Sequence, residues 1–309
     1  MPVKVQNDLP AKGILENENI FVMDEDRAMH QNIRPLSICI LNLMPVKQDT
    51  ELQLLRALSN TPLQIAVSFM KMNSHVSLNT PIQHLNQFYK TFDELKNNKY
   101  DGLIITGAPV EQIPFEEVDY WKELCEIMEW SKIHVHCTMH VCWGAYAALY
   151  YHYGIKSYTL DKKLSGVYSH TLCKHGSPLF RGFDDIFYAP HSRGIDIHKE
   201  DVLKVPELEI MAMSEEAGVT IVKTTDSKHF FVNCHLEYDY NTLQLEYERD
   251  LNKGMNPAIP EHYFPDDDPS KRPLVTWRSA GQLLFSNWLN FYVYQTTRYE
   301  IGTPPTKEK

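Results

Sequence analysis

The chain lacks any run of about 18 apolar residues, so nothing in it reads as a membrane-spanning helix. It lacks a CxxC pair as well: six cysteines are spread over 309 residues, which argues for free thiols in a reducing compartment. No basic tract offsets the formal net charge of -10, and this disfavours a nonspecific nucleic-acid binder. A small anion can still be held by local lysines, arginines and helix N-termini. Internal repeats and low-complexity segments are missing. The opening MPVKVQNDLPAKG has no apolar secretion-signal core, so a cytoplasmic protein is expected. What is present, 43% hydrophobic and 23% charged residues, suffices for one large α/β domain or two smaller ones.

The stretch around Cys142 organises the rest. Residues 133–141 read IHVHCTMHV, an apolar-rich segment of strand length, and Trp143 to Leu149 then switch to helix formers until Gly154 offers a stop. A cysteine on a sharp strand-to-helix turn would sit above the carboxyl edge of a parallel sheet. The unpaired N–H groups of the first helical turn would face its sulfur. Those groups favour the thiolate and can also hold an oxyanion when it attacks a carbonyl. The other reading is an inert core thiol, as expected for Cys39, Cys137 and Cys234 inside apolar strands.

Along the chain, residues 1–34 read as a polar arm. Strands are expected at 37–43, 64–70 and 100–106, separated by a helix beginning near Asp49 or Thr50 and another over 81–96. A helix over 116–131 precedes the Cys142 strand. This alternation predicts a parallel sheet with crossover helices. After Gly154 come short pieces at 156–158, 167–172, 186–188, 208–213 and 219–223, interrupted by Asp161-Lys162-Lys163 and by a hairpin turn at 215–218. A buried strand at 229–233, a helix at 242–253, a proline-rich surface loop at 254–273 and a last helix at 275–295 complete the chain. The domain division is therefore an arm (1–34), a catalytic domain (35–298) and a tail (299–309).

His235 and Glu237 follow the strand at 229–233, and side chains at i and i+2 of an extended segment face one way. If that strand runs parallel to the one before Cys142, Glu237 can orient His235 as a base for the thiol or for an attacking hydroxyl. Metal binding is the rival: His134, His136 and His140 recur near Cys137 and Cys142, although in no established ligand pattern.

Long motifs in one order, NIRPLSICILNLMPVKQDTELQLLRAL, DGLIITGAPVE, HVCWGAYAALYYHYGI, FFVNCHLEYD and TWRSAGQLLFSNWLNFYVY, resemble the homoserine O-acyltransferases of the homoserine O-succinyltransferase type. The resemblance implies a three-layer, flavodoxin-like, class I glutamine amidotransferase-like α/β fold with a mainly parallel central sheet and additional antiparallel strands. It implies Cys142 as acyl-thioester nucleophile, His235 as general base and Glu237 as its partner. Lys163, Ser192 and Arg249 match substrate-binding positions; Lys47, Trp143 and Arg193 are further candidates, Trp143 for its backbone N–H. A planar arginine fork suits the homoserine carboxylate.

Glu111 matches the position that discriminates acyl donors, glycine going with succinyl-CoA and glutamate with acetyl-CoA. A glutamate there would meet the succinyl carboxylate with bulk and like charge. The expectation is acetyl transfer from acetyl-CoA to the L-homoserine hydroxyl in methionine biosynthesis, with no metal and no permanently bound cofactor. No nucleic acid or membrane partner is expected, and a homodimer is the expected assembly. Alternatives are succinyl transfer, a cysteine-dependent amidohydrolase or glutaminase, and a non-enzymatic scaffold. His140 stands two residues before the cysteine, where the amidotransferase elbow has glycine, which weakens the glutaminase reading.

Overall fold

Apolar strands alternating with amphipathic helices leave the first half of the chain few ways to bury its backbone other than a parallel sheet. The computed structural model of the protein describes residues 3–18, 22–23, 25, 34–75, 77 and 79–297. The expected tail, 299–309, and part of the arm lie outside them. The strands are β1 (Val3–Lys4), β2 (Val22–Met23), β3 (Leu36–Leu41), β4 (Ile65–Lys71), β5 (Tyr89–Thr91) and β6 (Tyr100–Ile105). They continue with β7 (Val135–Val141), β8 (Ser157–Leu172), β9 (Ile186–Ile197), β10 (Leu208–Ser214), β11 (Gly218–Thr224) and β12 (His229–Val232).

One sheet holds them in the order β2-β1-β4-β3-β6-β7-β12-β11-β10-β8-β9, with β5 beside β4. Pairing is parallel from β2 to β12 and antiparallel from β12 to β9. Apolar side chains pack on both faces. Leu54, Leu55, Leu284 and Trp288 cover one, and Leu124, Ile127, Trp143 and Ala148 the other, giving helix, sheet and helix layers. Among the described residues no helix is long and apolar enough to cross a membrane.

Several element boundaries differ from expectation. The helix expected from Asp49 or Thr50 runs from Lys47 to Leu58 with no side-chain cap. The helix expected over 81–96 is split by β5 into Ile82–Phe88 and Phe92–Leu95, because Tyr89–Thr91 adds to the edge of β4. The helix expected over 116–131 spans Trp121–His134, displaced because Val118 and Tyr120 anchor the preceding turn in the core. The arm is not merely polar cover: β1 and β2 extend the sheet, and Val5, Leu9, Leu15 and Val22 are buried.

The pieces expected at 208–213 and 219–223 are β10 and β11, whereas those at 156–158, 167–172 and 186–188 are parts of two long strands, β8 and β9, whose mutual pairing no local signal announces. The proline-rich segment is anchored as well. Glu261 exchanges backbone hydrogen bonds with Ser165 and Val167, and Tyr263 and Phe264 are buried. Gly166 permits that approach: a Cβ there would lie 2.3 Å from the Glu261 carbonyl oxygen. The last helix begins at Arg278 and passes into a π-helical turn, Trp288–Tyr294. Phe285 and Trp288 lie in the core, so neither offers an exposed dimer face.

Candidate active site

Cys142 ends β7 and caps the helix Trp143–Tyr153, with φ 51° and ψ -121°, a backbone region that L-residues rarely occupy. Its N–H donates to Val232 of β12, while its carbonyl accepts from Ala145 and Tyr146. As N1, Trp143 has no intrahelical acceptor for its own N–H. Gly144 allows the tight junction, since a Cβ there would meet the Thr106 oxygen at 2.6 Å. Gly107, two residues past the end of β6, lies against Cys142: a Cβ on it would stand 3.2 Å from Cys142 Cβ and 3.6 Å from the sulfur. Strand end, helix N-terminus and glycine turn thus converge on one thiol.

β12 runs parallel to β7 with Val232 opposite Val141, so the chain after β12 emerges at the same edge as Cys142. His235 is fixed there by its N–H to the Pro190 carbonyl and by stacking on Tyr238, ring centroids 4.0 Å apart. Its Nδ1 lies 2.7 Å from Glu237 Oε1, which leaves Nε2 for the Cys142 sulfur. Burial favours the neutral ring. The negative charges of Cys142 and Glu237 outweigh it and raise the His235 pKa well above its ordinary value.

The Glu111 carboxylate accepts from the Gly194 N–H at 2.5 Å. Burial raises its pKa above the ordinary carboxylate value, against the pull of the Gly194 N–H, Lys163, His235 and Arg193. With Phe115, Trp143, Tyr158 and Ile195 it lines a cavity of about 300 Å³. Lys163 lines a second cavity of about 230 Å³ with Glu246 and Asp250, its Nζ 3.7 and 3.8 Å from their carboxylates. Ser192 donates to Glu246, and Arg249 lies on Asp250 at 2.8 Å with its side chain half exposed.

Two further candidates sit deeper. Arg193 is fully enclosed; its guanidinium donates to the Ile195 and Ala217 carbonyls and to His191, and it pairs with Asp196 at 3.2 Å. Lys47 is buried and donates to the Asn42 and Met44 carbonyls, and burial pulls its pKa down to about 8. Neither offers a free cationic face. The histidines weighed as metal ligands diverge: His134 stacks on Trp130, His136 bonds Thr296 and His140 faces His229. Among the described residues no group of three or more His, Cys, Asp or Glu side chains is arranged to hold a metal ion.

Sequence reasoning missed Glu246 and Tyr238. Glu246 accepts from both Ser192 and Tyr238, tying Ser192 to the residue stacked on His235. Its spacing three residues before Arg249 on the helix Thr242–Asn252 was the available signal.

The chain is 60% identical over 302 residues to a homoserine O-acetyltransferase of Lachnospira eligens, covering 98% of this chain and 97% of the relative. It is 58% identical to the homoserine O-acetyltransferase of Acetivibrio thermocellus, with 98% and 99% coverage. In fold it is similar to a glutamine amidotransferase of Thermotoga maritima, with TM-score 0.55, 13% identity and coverage of 83% of this chain and 98% of that one. The family model described as homoserine O-succinyltransferase matches residues 2–299, and the chain belongs to that family.

Proposed function

We propose that the protein is a homoserine O-acetyltransferase working through an acetyl-Cys142 thioester, with the ester product serving methionine biosynthesis. The observation that carries the reading is Cys142 at a helix N-terminus beside the His235–Glu237 pair. Relatives bearing the acetyltransferase name at 58–60% identity over nearly the whole chain support the activity and the donor.

The Cys142 thiolate attacks the acetyl-CoA carbonyl, and the resulting oxyanion is met by N–H groups of Trp143 and the Gly107 region. The carbon–sulfur bond to coenzyme A breaks, and His235 gives its proton to the departing thiolate. His235, now neutral, takes the proton of the homoserine γ-hydroxyl as that oxygen attacks the thioester. Collapse returns the thiolate and the imidazolium, completing the cycle without metal or nucleotide. Glu237 holds the ring and compensates its charge.

Lys163, Ser192 and Arg249 bind the amino acid in this reading, with Glu246 fixing Ser192. Arg193 and Lys47 act as internal supports, since their donors are taken by protein groups. Glu111 closes the acyl pocket against longer, charged donors. A cytoplasmic homodimer remains the expected setting, to be checked by light scattering.

Intact-protein mass spectrometry tests the reading. Acetyl-CoA should add one acetyl group to the wild-type protein, homoserine should remove it, and Cys142→Ala should show neither. O-acetylhomoserine formed at the wild-type rate by Cys142→Ala would sink it.

A further inference from the structure

The Gly194 N–H is free for Glu111 because β9 ends the sheet and Gly194, like Pro190, turns its backbone polar groups away from β8. β8 and β9 pair regularly at Thr159–Ile195 and at Leu164–Arg193, so residues 160–163 of β8 stand opposite Gly194 alone. A bulge of this kind re-aims the side chains it carries. The sequence already marked the spot, since Asp161-Lys162-Lys163 interrupts an otherwise strand-like pattern. The Gly194 amide points its hydrogen at Glu111 Oε2, 2.5 Å away.

The bulge also brings Lys163, whose charge acts on the same carboxylate together with that of Arg193. No side chain on residue 194 intrudes. A Cβ there would stand 3.2 Å from Glu111 Oε2 and 3.3 Å from Gln112 Nε2. A backbone N–H, nearby positive charge and the volume that Glu111 lines make a carboxylate receptor.

We propose that the Gly194 amide, on the outer side of the edge strand β9, is a carboxylate receptor at the end of the acyl pocket, and that Glu111 keeps it filled with a carboxylate of the protein's own. The inference rests on the reading that Glu111 faces the acyl group. It changes the physics of donor choice. A donor ending in a carboxylate is excluded because its receptor is occupied, and deleting the Glu111 side chain exposes a built anion site as well as empty volume. Gly194 is then a specificity-determining residue that acts through its main chain.

Clearance alone and a receptor predict different responses to two donors of matched length, succinyl-CoA and butyryl-CoA, which differ in the terminal carboxylate. The wild-type protein should use acetyl-CoA and turn over both longer donors poorly. In Glu111→Gly the receptor predicts kcat/KM for succinyl-CoA at least about tenfold above butyryl-CoA, equivalent to about 1.4 kcal/mol. Glu111→Ala, which repeats the test should the glycine variant fold poorly by thermal melting, should show the same order. Glu111→Gln fills the same volume and its amide oxygen still accepts from Gly194, so it should stay selective for acetyl-CoA.

Equal use of succinyl-CoA and butyryl-CoA by Glu111→Gly and Glu111→Ala would overturn the receptor. So would a Glu111→Gln variant that accepts succinyl-CoA as readily as the glycine variant, for charge alone would then be the barrier. Absence of acetyl transfer by the wild-type protein would instead strike the underlying assignment, and it is measured first.

Discussion

In the proposed cycle, His235 serves first the Cys142 sulfur and then the substrate hydroxyl. In the resting site the Cys142 and Glu237 charges together overcome burial and hold the ring protonated above its ordinary pKa. Acetylation turns the sulfur into a neutral thioester and deletes one of those charges. The proton is then held less tightly, at the stage when His235 must act as a base. Removing the sulfur should mimic this. In Cys142→Ala the ring should lose its proton at lower pH than in the wild-type protein, as read by nitrogen NMR of the imidazole. An unchanged titration would mean that Glu237 alone sets the base.

At the scale of elements, the site depends on contacts made well behind the reacting atoms. The helix Arg278–Asn287 brings Gly281 so close to the segment after β12 that a Cβ would stand 2.4 Å from the Leu236 carbonyl oxygen. That carbonyl lies between His235 and Glu237, and backbone cannot yield as a flexible side chain can. Gly281→Ala should therefore cost about 1–3 kcal/mol in overpacking. It should also lower kcat for acetyl transfer at least about tenfold while KM for acetyl-CoA changes little, because it displaces the base. Normal kinetics in a merely destabilised variant would show that the loop relaxes without disturbing the dyad. Gly144 plays the corresponding part under Cys142, where helix and strand end meet at backbone distance.

Across the whole molecule, burial keeps several histidines neutral. His140 and His191 are held well below their ordinary pKa by burial and by nearby positive charge. His170 and His229 are lowered to about 4 and His152 to about 3, again chiefly by burial. The unfolded chain takes up these protons near pH 6.5, whereas the folded protein refuses them until lower pH. Their contribution to stability is therefore complete above about pH 6.5 and is lost as pH falls toward 4, each proton contributing a slope of up to about 1.4 kcal/mol per pH unit. Urea midpoints should fall steeply from pH 7 to pH 5. A flat profile would show that the neutral rings are not a shared liability of the core. His235 has the opposite sign, since its pKa is raised, and it opposes the trend only in part.

Apolar periodicity and turn chemistry made the parallel half legible, because strand, helix and elbow are local consequences of side-chain pattern. Cys142 was legible for the same reason: a strand and a helix meet at it in sequence. His235 and Glu237 could be named as a pair from their spacing, yet their presence at the thiol required β12 to lie parallel to β7, a contact across some ninety positions of chain. Other features were settled only by remote pairing. The β8–β9 ribbon, the outward-facing Gly194 N–H and the capture of Glu261 depend on backbone pairings that leave no mark on neighbouring residues. Arg193 illustrates the limit most plainly. Its charge was visible in the sequence, but only the fold decided that its donors would be used by internal carbonyls, because burial forces every polar group to find whichever partner the tertiary structure brings near.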